Sequence, residues 1–118
     1  MGFASPARDY EHNSIDLNKE LVPRPNSTFF YQADGNGMTE CFIPVKSKLI
    51  VDRSIKPKHG DIVHCIVNGE QYIRRLIKVH NGIYLTANSD IKPVLITQDM
   101  ECTICGVVTH IIISSKDI

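Results

Sequence analysis

The sequence contains no long apolar run. Its longest such stretches are three residues long, as in the isoleucines at residues 111–113 that follow Val107 and Val108, and this is far shorter than the roughly 20 residues of a membrane-spanning helix. The beginning of the chain also lacks a basic region followed by an apolar segment, so nothing indicates a secretory signal. We therefore expect no membrane association and predict a cytoplasmic protein.

An excess of charge of one sign is also missing, since thirteen basic side chains are balanced by thirteen acidic ones. A net charge of zero provides little of the counterion release on which nucleic-acid affinity depends, so we expect DNA to be contacted only indirectly. The middle of the chain is nevertheless basic. A solvated face is the simpler interpretation of this cluster, although an acidic partner or DNA held by another protein could contact Lys46, Lys48, Arg53, Lys56 and Lys58.

The chain is short, and its cysteines lack the spacing of a metal ribbon. Its 118 residues fit one compact domain, and no helix-turn-helix segment precedes the β-rich part, which disfavours an operator-binding repressor. Cys102 and Cys105 have the CxxC spacing, but a zinc ribbon needs a second pair. We interpret these two, with Cys41 and Cys65, as reduced thiols that pack as small apolar side chains, and expect no cofactor. A metal site at Cys102 and Cys105 remains the alternative.

The local sequence pattern divides the chain into an arm and a β domain. Residues 1–27 are rich in proline and contain one plausible short helix over residues 14–21, with Asn13 or Ser14 as its cap. Because this arm has few apolar anchors, we interpret it as an interaction element. Residues 28–118 form the predicted single β domain.

Short runs of β-branched and aromatic residues, separated by Gly, Asn and Pro, indicate a mostly β fold. Asn68-Gly69 and Asn81-Gly82 each lie between two such runs, and Asn-Gly favours the type I′ turn of a β-hairpin. They predict a three-stranded meander over residues 62–86. The full set of predicted strands is 28–33, 48–52, 62–67, 71–78, 83–86, 94–96 and 105–113.

Several short motifs occur in a fixed order along nearly the whole chain. They are Gly2-Phe3, Ser5-Pro6-Ala7, Asp9-Tyr10, Asp16-Leu17-Asn18, Val51-Asp52-Arg53-Ser54, His59-Gly60-Asp61-Ile62-Val63, Gly69-Glu70 and Gly106-Val107-Val108-Thr109-His110. In this order they resemble the UmuD proteins of the bacterial SOS response. The resemblance implies the C-terminal β-rich fold of the LexA/UmuD self-cleaving peptidases.

Members of that family dimerise and use a serine nucleophile with a lysine general base. The family's serine lies in a Gly-Asp-Ser-Met segment, and its lysine lies on a strand that follows a Gly-Glu. The corresponding segments here read Gly35-Asn36-Gly37-Met38 and Gly69-Glu70 followed by residues 71–76. The resemblance therefore puts Gly37 at the position of the nucleophile and Arg74 at the position of the base.

Both replacements remove a group that the family's chemistry requires. Acyl transfer needs a side-chain oxygen that attacks the carbonyl carbon and a neutral amine that accepts the proton. Glycine has no attacking atom, and a guanidinium group stays protonated because its pKa lies above about 12. The pair at Gly37 and Arg74 predicts a protein that is not an enzyme.

Two alternatives to this interpretation concern neighbouring residues. Without the resemblance, Gly35-Asn36-Gly37 would simply indicate a tight turn. Thr39 and Cys41 are the nearest substitute nucleophiles, but both are displaced from the serine position and neither has an identifiable base. We therefore predict no catalytic residue.

Residues 44–48 depart from the family as well, because the family has an acidic, glycine-containing turn there.

The resemblance also implies a function. UmuD precursors are cut before a glycine that opens a Gly-Phe-Pro-Ser-Pro-Ala stretch, and Gly2 directly follows Met1, so we expect the chain to correspond to the processed form. The leading hypothesis is a homodimer that binds an error-prone Y-family DNA polymerase and supports translesion synthesis. The second is a regulatory pseudo-peptidase that forms mixed dimers with an intact UmuD- or LexA-like protein. A self-cleaving peptidase with an unrecognised nucleophile is the third.

The last predicted strand offers an interface for such a dimer. Its apolar side chains Val107, Ile111 and Ile113 are the candidates, because a strand near the edge of a sheet readily pairs with another chain. The alternative is that these three residues fill the core of a single subunit.

Overall fold

A computed structural model describes residues 16–118, which form a seven-stranded antiparallel sheet with one short α-helix. The strands lie in the order β1-β2-β7-β3-β4-β5-β6. The predicted mostly β fold is confirmed. The elements are α1 (Leu17–Leu21), β1 (Thr28–Gln32), β2 (Lys48–Asp52), β3 (Ile62–Val67), β4 (Glu70–Val79), β5 (Gly82–Thr86), β6 (Val94–Leu95) and β7 (Cys102–Ile112).

The predicted meander is present as β3, β4 and β5, but only one of its two turns has the predicted form. Asn68 and Gly69 have φ angles of 51° and 86°, as a type I′ turn requires. The second turn differs, because Gly82 already pairs with Val79 as the first residue of β5. His80 and Asn81 therefore connect the strands, and Asn81 does not have a positive φ. The prediction of a type I′ turn at Asn81-Gly82 was wrong.

The last strand begins earlier than predicted, at Cys102 rather than Cys105, and it lies inside the sheet. Its first half pairs with β3 and its second half with β2. Register shifts interrupt both pairings, between Ile50 and Val51 on β2 and between His64 and Cys65 on β3. At such a β-bulge the alternation of side chains along the strand shifts by one residue, so side chains beyond the bulge face the opposite side of the sheet from the one expected.

Two clusters of buried apolar side chains stabilise the sheet. Leu49 and Val51 of β2 belong to the first cluster, together with Met38 and Ile43 of the long connection between β1 and β2. The second cluster contains Val63, Cys65, Leu76, Leu85 and Val107. Because the first cluster includes two residues of the β1–β2 connection, that connection is anchored to the core rather than free at the surface.

The segment before β1 is attached to β2 by a buried carboxylate. Asp52 is only 2% exposed, and its Oδ2 accepts a 2.7 Å hydrogen bond from Nε of the half-exposed Arg24. Its Oδ1 accepts from Ser27 and from both the backbone and the side chain of Ser54. Removing any donor would leave part of a buried charge without a partner.

The helix in this segment is shorter than predicted, and its cap is a different residue. α1 begins at Leu17, and the Asp16 side chain accepts hydrogen bonds from the backbone of Asn18 and Lys19, so Asp16 is the N-cap. The predicted caps Asn13 and Ser14 lie outside the described residues. No helix within residues 16–118 is long and apolar enough to cross a membrane. The boundary between arm and domain at residue 27 stays a prediction.

Replacing the Asp52 carboxylate should destabilise the protein in a pH-dependent way. Burial alone would raise the pKa of Asp52, but hydrogen bonds from Ser54, Arg24 and Ser27 outweigh it and lower the pKa from 3.8 to about 2. The ionised form therefore stabilises the fold above pH 3.8, and this contribution is lost as the pH falls through about 2. We expect Asp52→Asn to cost about 2 kcal/mol of unfolding free energy at pH 7.

Urea denaturation of the wild type and of Asp52→Asn across this pH range measures the effect. The difference between the two proteins should stay constant from neutral pH to about pH 5 and shrink in more acidic solution. Asp99→Asn, which changes an exposed carboxylate, is the matched control and should leave stability unchanged. A difference between wild type and Asp52→Asn that grows on acidification would contradict the assignment.

Candidate functional site

An open cleft of about 430 Å³ lies between the β1–β2 connection and the first half of β4. Residues 34–38 form one wall, and residues 71–74 of β4 form the opposite wall. Tyr31, Ala33, Ile43 and Ile91 complete the lining. The cleft thus contains both segments that the sequence comparison with UmuD proteins singled out.

Gly37 and Arg74 face each other across this cleft. A Cβ atom built on Gly37 would lie 3.7 Å from Nη1 of Arg74 and 3.0 Å from Cδ1 of Ile91. A side chain at residue 37 would therefore point at the side chain of residue 74, as a nucleophile points at its base. The structure brings together the two residues at the positions of the family's serine and lysine.

The Arg74 guanidinium is held at the cleft wall by its own strand. Nη1 donates a 2.8 Å hydrogen bond to the carbonyl oxygen of Ile73, and the guanidinium carbon lies 4.8 Å above the centre of the Tyr72 ring. Within residues 16–118 no carboxylate forms a salt bridge with Arg74. The cleft therefore presents a permanent positive charge where the family has a titratable amine.

Asn88 holds the wall that contains Gly37. Its amide nitrogen donates to the carbonyl oxygen of Asn36 at 2.9 Å and to the hydroxyl of Thr39 at 2.8 Å, and its amide oxygen accepts from the backbone of Glu40 at 2.8 Å. The backbone N–H of Asn88 donates to the carbonyl oxygen of Gly37 at 2.7 Å. One buried side chain thus fixes most of the loop from residue 36 to residue 40.

Further contacts close the loop at both of its ends. The Glu40 carboxylate accepts hydrogen bonds from the backbone and the hydroxyl of Ser89, each at 3.0 Å. At the base of the loop, the backbone N–H of Ala33 donates to Ser47, and that of Lys46 donates to Ala33. The position of Gly37 is therefore set by the fold.

Asn88→Ala should loosen this wall without unfolding the protein. The substitution removes three side-chain hydrogen bonds and leaves part-buried loop groups without these partners, which we expect to cost about 2 kcal/mol. Hydrogen exchange should accelerate at the amide of Glu40, which loses its acceptor. Ser89→Ala removes one exposed hydroxyl contact and is the milder control. Unchanged exchange at Glu40 in Asn88→Ala would contradict the role of Asn88.

The substitute nucleophiles considered from sequence lie away from the cleft. Neither Thr39 nor Cys41 lines it; the Thr39 hydroxyl accepts from Asn88, and Cys41 packs against the first core cluster. A second thiol, Cys65, is fully buried, and burial raises its pKa to about 12, so it stays protonated at neutral pH.

The remaining cysteines and the basic cluster also have defined positions. Cys102 and Cys105 are half-buried free thiols on β7, and residues 16–118 contain no group of three or more His, Cys, Asp or Glu side chains suited to a metal ion. The five cations of the basic cluster are exposed. One of them, Arg53, lies above the ring of Phe29 at 4.7 Å.

The three residues proposed for a dimer interface do not share one surface. Val107 is 7% exposed and belongs to the second core cluster, so it fills the core of one subunit. Ile111 is half-buried and packs against the first cluster, whereas Ile113, just beyond β7, is 41% exposed. Among the described strands, only β2 lies beside residues 108–112. No described strand pairs with their other edge, and an unpaired edge can accept a strand of another chain.

The antiparallel sheet, with residues 37 and 74 facing each other in one cleft, is the arrangement expected of the LexA/UmuD peptidase fold. The family model described as Peptidase S24-like matches residues 1–109. The chain belongs to this family.

Individual relatives agree with this assignment. Protein ImpA of Salmonella typhimurium is 37% identical over 117 residues, which cover 99% of this chain and 80% of the relative. Protein MucA of Salmonella typhimurium is 34% identical over 113 residues, covering 95% of this chain and 77% of the relative. Protein SamA of Salmonella typhimurium LT2 is 37% identical over 111 residues, covering 94% and 77%. These bacterial relatives confirm the resemblance to UmuD proteins and support a part for the chain in SOS mutagenesis.

Proposed function

We propose that this chain is a non-catalytic, cytoplasmic UmuD-like subunit that dimerises and binds an error-prone Y-family DNA polymerase during translesion synthesis. The observation that supports this most is that Gly37 and Arg74 face each other across one cleft. Residue 37 supplies no attacking oxygen, and residue 74 supplies no group that can accept its proton. A chain of this family without these two groups is better suited to binding than to cleavage.

Co-purification tests the polymerase part of the proposal. The tagged chain, expressed in damaged cells with the Y-family polymerase of the same genome, should retain that polymerase on the affinity resin. Arg74→Gln should retain it equally, because binding does not depend on the residue at the position of the base. Absence of the polymerase from the eluate of the wild type under DNA damage would refute this part.

We propose that the dimer forms through the open edge of β7 and the exposed isoleucines that follow. Ile112 is 37% exposed and Ile113 is 41% exposed, beside backbone groups that β2 leaves free on one side. Ile113→Glu should therefore shift the protein towards the monomer in sedimentation experiments. Val94→Glu on β6, where the side chain is 39% exposed, is the matched control and should not. Equal effects of the two variants would refute this interface.

A regulatory role is the second candidate, and the same open edge favours it. An intact UmuD- or LexA-like protein with a similar final strand could pair with residues 108–112 in place of a second copy of this chain. Native mass spectrometry after co-expression distinguishes the candidates. Mixed dimers would support regulation, and exclusively homodimeric species would remove it.

A further inference from the structure

We propose that the cleft between residues 34–38 and β4 is a receptor for the free C-terminal carboxylate of an extended peptide, with Arg74 as the group that binds the carboxylate. This inference does not rest on polymerase binding or on dimer formation. It follows from the charge in the cleft, from the open edge of β4 and from the point at which that edge closes.

The charge in the cleft favours a single carboxylate. Arg74 is its cation, and none of the carboxylates in the described part of the chain forms a salt bridge with it. Nη1 makes one hydrogen bond, to the Ile73 carbonyl, which leaves the other N–H groups of the planar fork for a ligand. A guanidinium fork matches the two oxygens of a carboxylate, and such charge-assisted pairs are the stronger hydrogen bonds of proteins.

The other titratable groups of the cleft do not neutralise Arg74. Asp34 lines the opposite wall and is exposed. Glu70 accepts a 2.6 Å hydrogen bond from the Tyr72 hydroxyl, and this contact raises the pKa of Tyr72. Tyr31 lies at the floor, where burial raises its pKa, so it stays neutral. The anion would therefore bind on the β4 side, away from Asp34.

The backbone beside Arg74 can accept an extended peptide. Residues 70–75 of β4 pair with β3 on one side, but β5 pairs with β4 only from Arg75 onwards. No described strand covers the second edge of residues 70–74, and residues 71–74 of this stretch line the cleft. Exposed strand edges bind peptides by strand addition, with main-chain hydrogen bonds supplying the affinity.

β5 covers the edge of β4 from Arg75 onwards. This favours a peptide that ends beside Arg74 over a peptide that continues along the strand. Arg75 is already paired with Thr86 of β5, so a peptide laid along residues 70–74 has to stop or turn away beside Arg74. A peptide that ends there places its terminal carboxylate at the guanidinium. Gly37 places no side chain beside Nη1 of Arg74, and Cδ1 of Ile91 borders the same space.

A matched pair of peptides tests the proposal on the unaltered protein. The probes are an N-acetylated pentapeptide, Val-Thr-Val-Thr-Ala, with either a free C-terminal carboxylate or a C-terminal amide. In NMR titrations the acid should shift the amide signals of residues 34–38 and 71–74. It should also bind about tenfold or more tightly than the amide, since a charged hydrogen-bonded pair supplies the difference.

Two variants assign the effect to one side chain. Arg74→Gln should remove the preference for the acid, whereas Arg53→Gln, which removes the same charge outside the cleft, should keep it. Circular dichroism confirms that both variants are folded. Equal binding of acid and amide by the wild type, no binding of either peptide at millimolar concentration, or equal losses in the two variants would each overturn the proposal. None of these results bears on the polymerase or the dimer.

Discussion

Gly106→Ala is expected to lower the stability of the protein by about 3 kcal/mol, or the melting temperature by roughly 10 °C, although it adds a single methyl group. A Cβ atom at residue 106 would lie 2.7 Å from Cγ1 of Val51, 3.1 Å from the carbonyl oxygen of Asp52 and 3.3 Å from Cα of Arg53. Two of these neighbours are backbone atoms, which cannot move without shifting β2. The Val51 side chain is fully buried in the first core cluster and has little space to withdraw.

Gly35→Ala is the matched control for this prediction. A Cβ atom at residue 35 would meet nothing within 4 Å, and Gly35 does not have a positive φ. This variant should be as stable as the wild type or slightly more stable, because alanine has fewer unfolded conformations than glycine. Thermal unfolding followed by circular dichroism compares the three proteins. Equal stability of the two variants would mean that β7 and β2 are not packed at this close distance.

The strands were predictable from sequence because each is a short run of β-branched residues with a turn signal on both sides. β2 and β3 have the predicted bounds, and the type I′ turn at Asn68-Gly69 follows from residue type alone. The same dipeptide at residues 81–82 does not form this turn. There Gly82 pairs with Val79 as the first residue of β5, and the register between two strands cannot be deduced from the dipeptide.

The faces of β7 were not predictable, so the sequence left Val107 between a dimer interface and the core of one subunit. An apolar strand that pairs on both sides gives no alternation from which to separate a core face from an interface. The bulges opposite β2 and β3 then shift the register within the strand. Val107 packs into the second core cluster, whereas Ile113 beyond the strand is exposed.

The two facing positions of the site were found through family resemblance, but the residue that holds the loop of Gly37 was not. Asn88 contacts Asn36 and Thr39 across 52 and 49 residues of sequence. An asparagine between two predicted strands indicates only a turn, so no local signal marks it. The loop of Gly37 depends on a tertiary hydrogen-bond network, which becomes visible only when β5 and the β1–β2 connection are placed together.

Placing the family's two catalytic groups at residues 37 and 74 should produce peptide cleavage, provided that space is made for them. Gly37→Ser supplies the attacking oxygen and Arg74→Lys supplies an amine that can lose its proton, but a Cβ at residue 37 lies only 3.0 Å from Cδ1 of Ile91. Ile91→Val removes that atom. We expect the triple variant G37S/R74K/I91V to cut an intact UmuD-type precursor in alkaline solution at least about 100-fold faster than G37S/I91V, because a positioned general base contributes that much.

Cleavage is measured by gel electrophoresis and intact mass, and its rate should rise with pH as the new amine deprotonates. The variant G37A/R74K/I91V has the base but no oxygen, so it should give no product and thereby assigns the reaction to residue 37. If the wild type cut the precursor as fast as the triple variant, the nucleophile would lie elsewhere and the non-catalytic function would be wrong. If the triple variant gave no product, the cleft would differ from an active one by more than Gly37, Arg74 and Ile91. Residues 44–48 differ from the family and contain Lys46 and Ser47, which bond to Ala33 at the base of the loop. This segment would then be the next one to replace with the family's sequence.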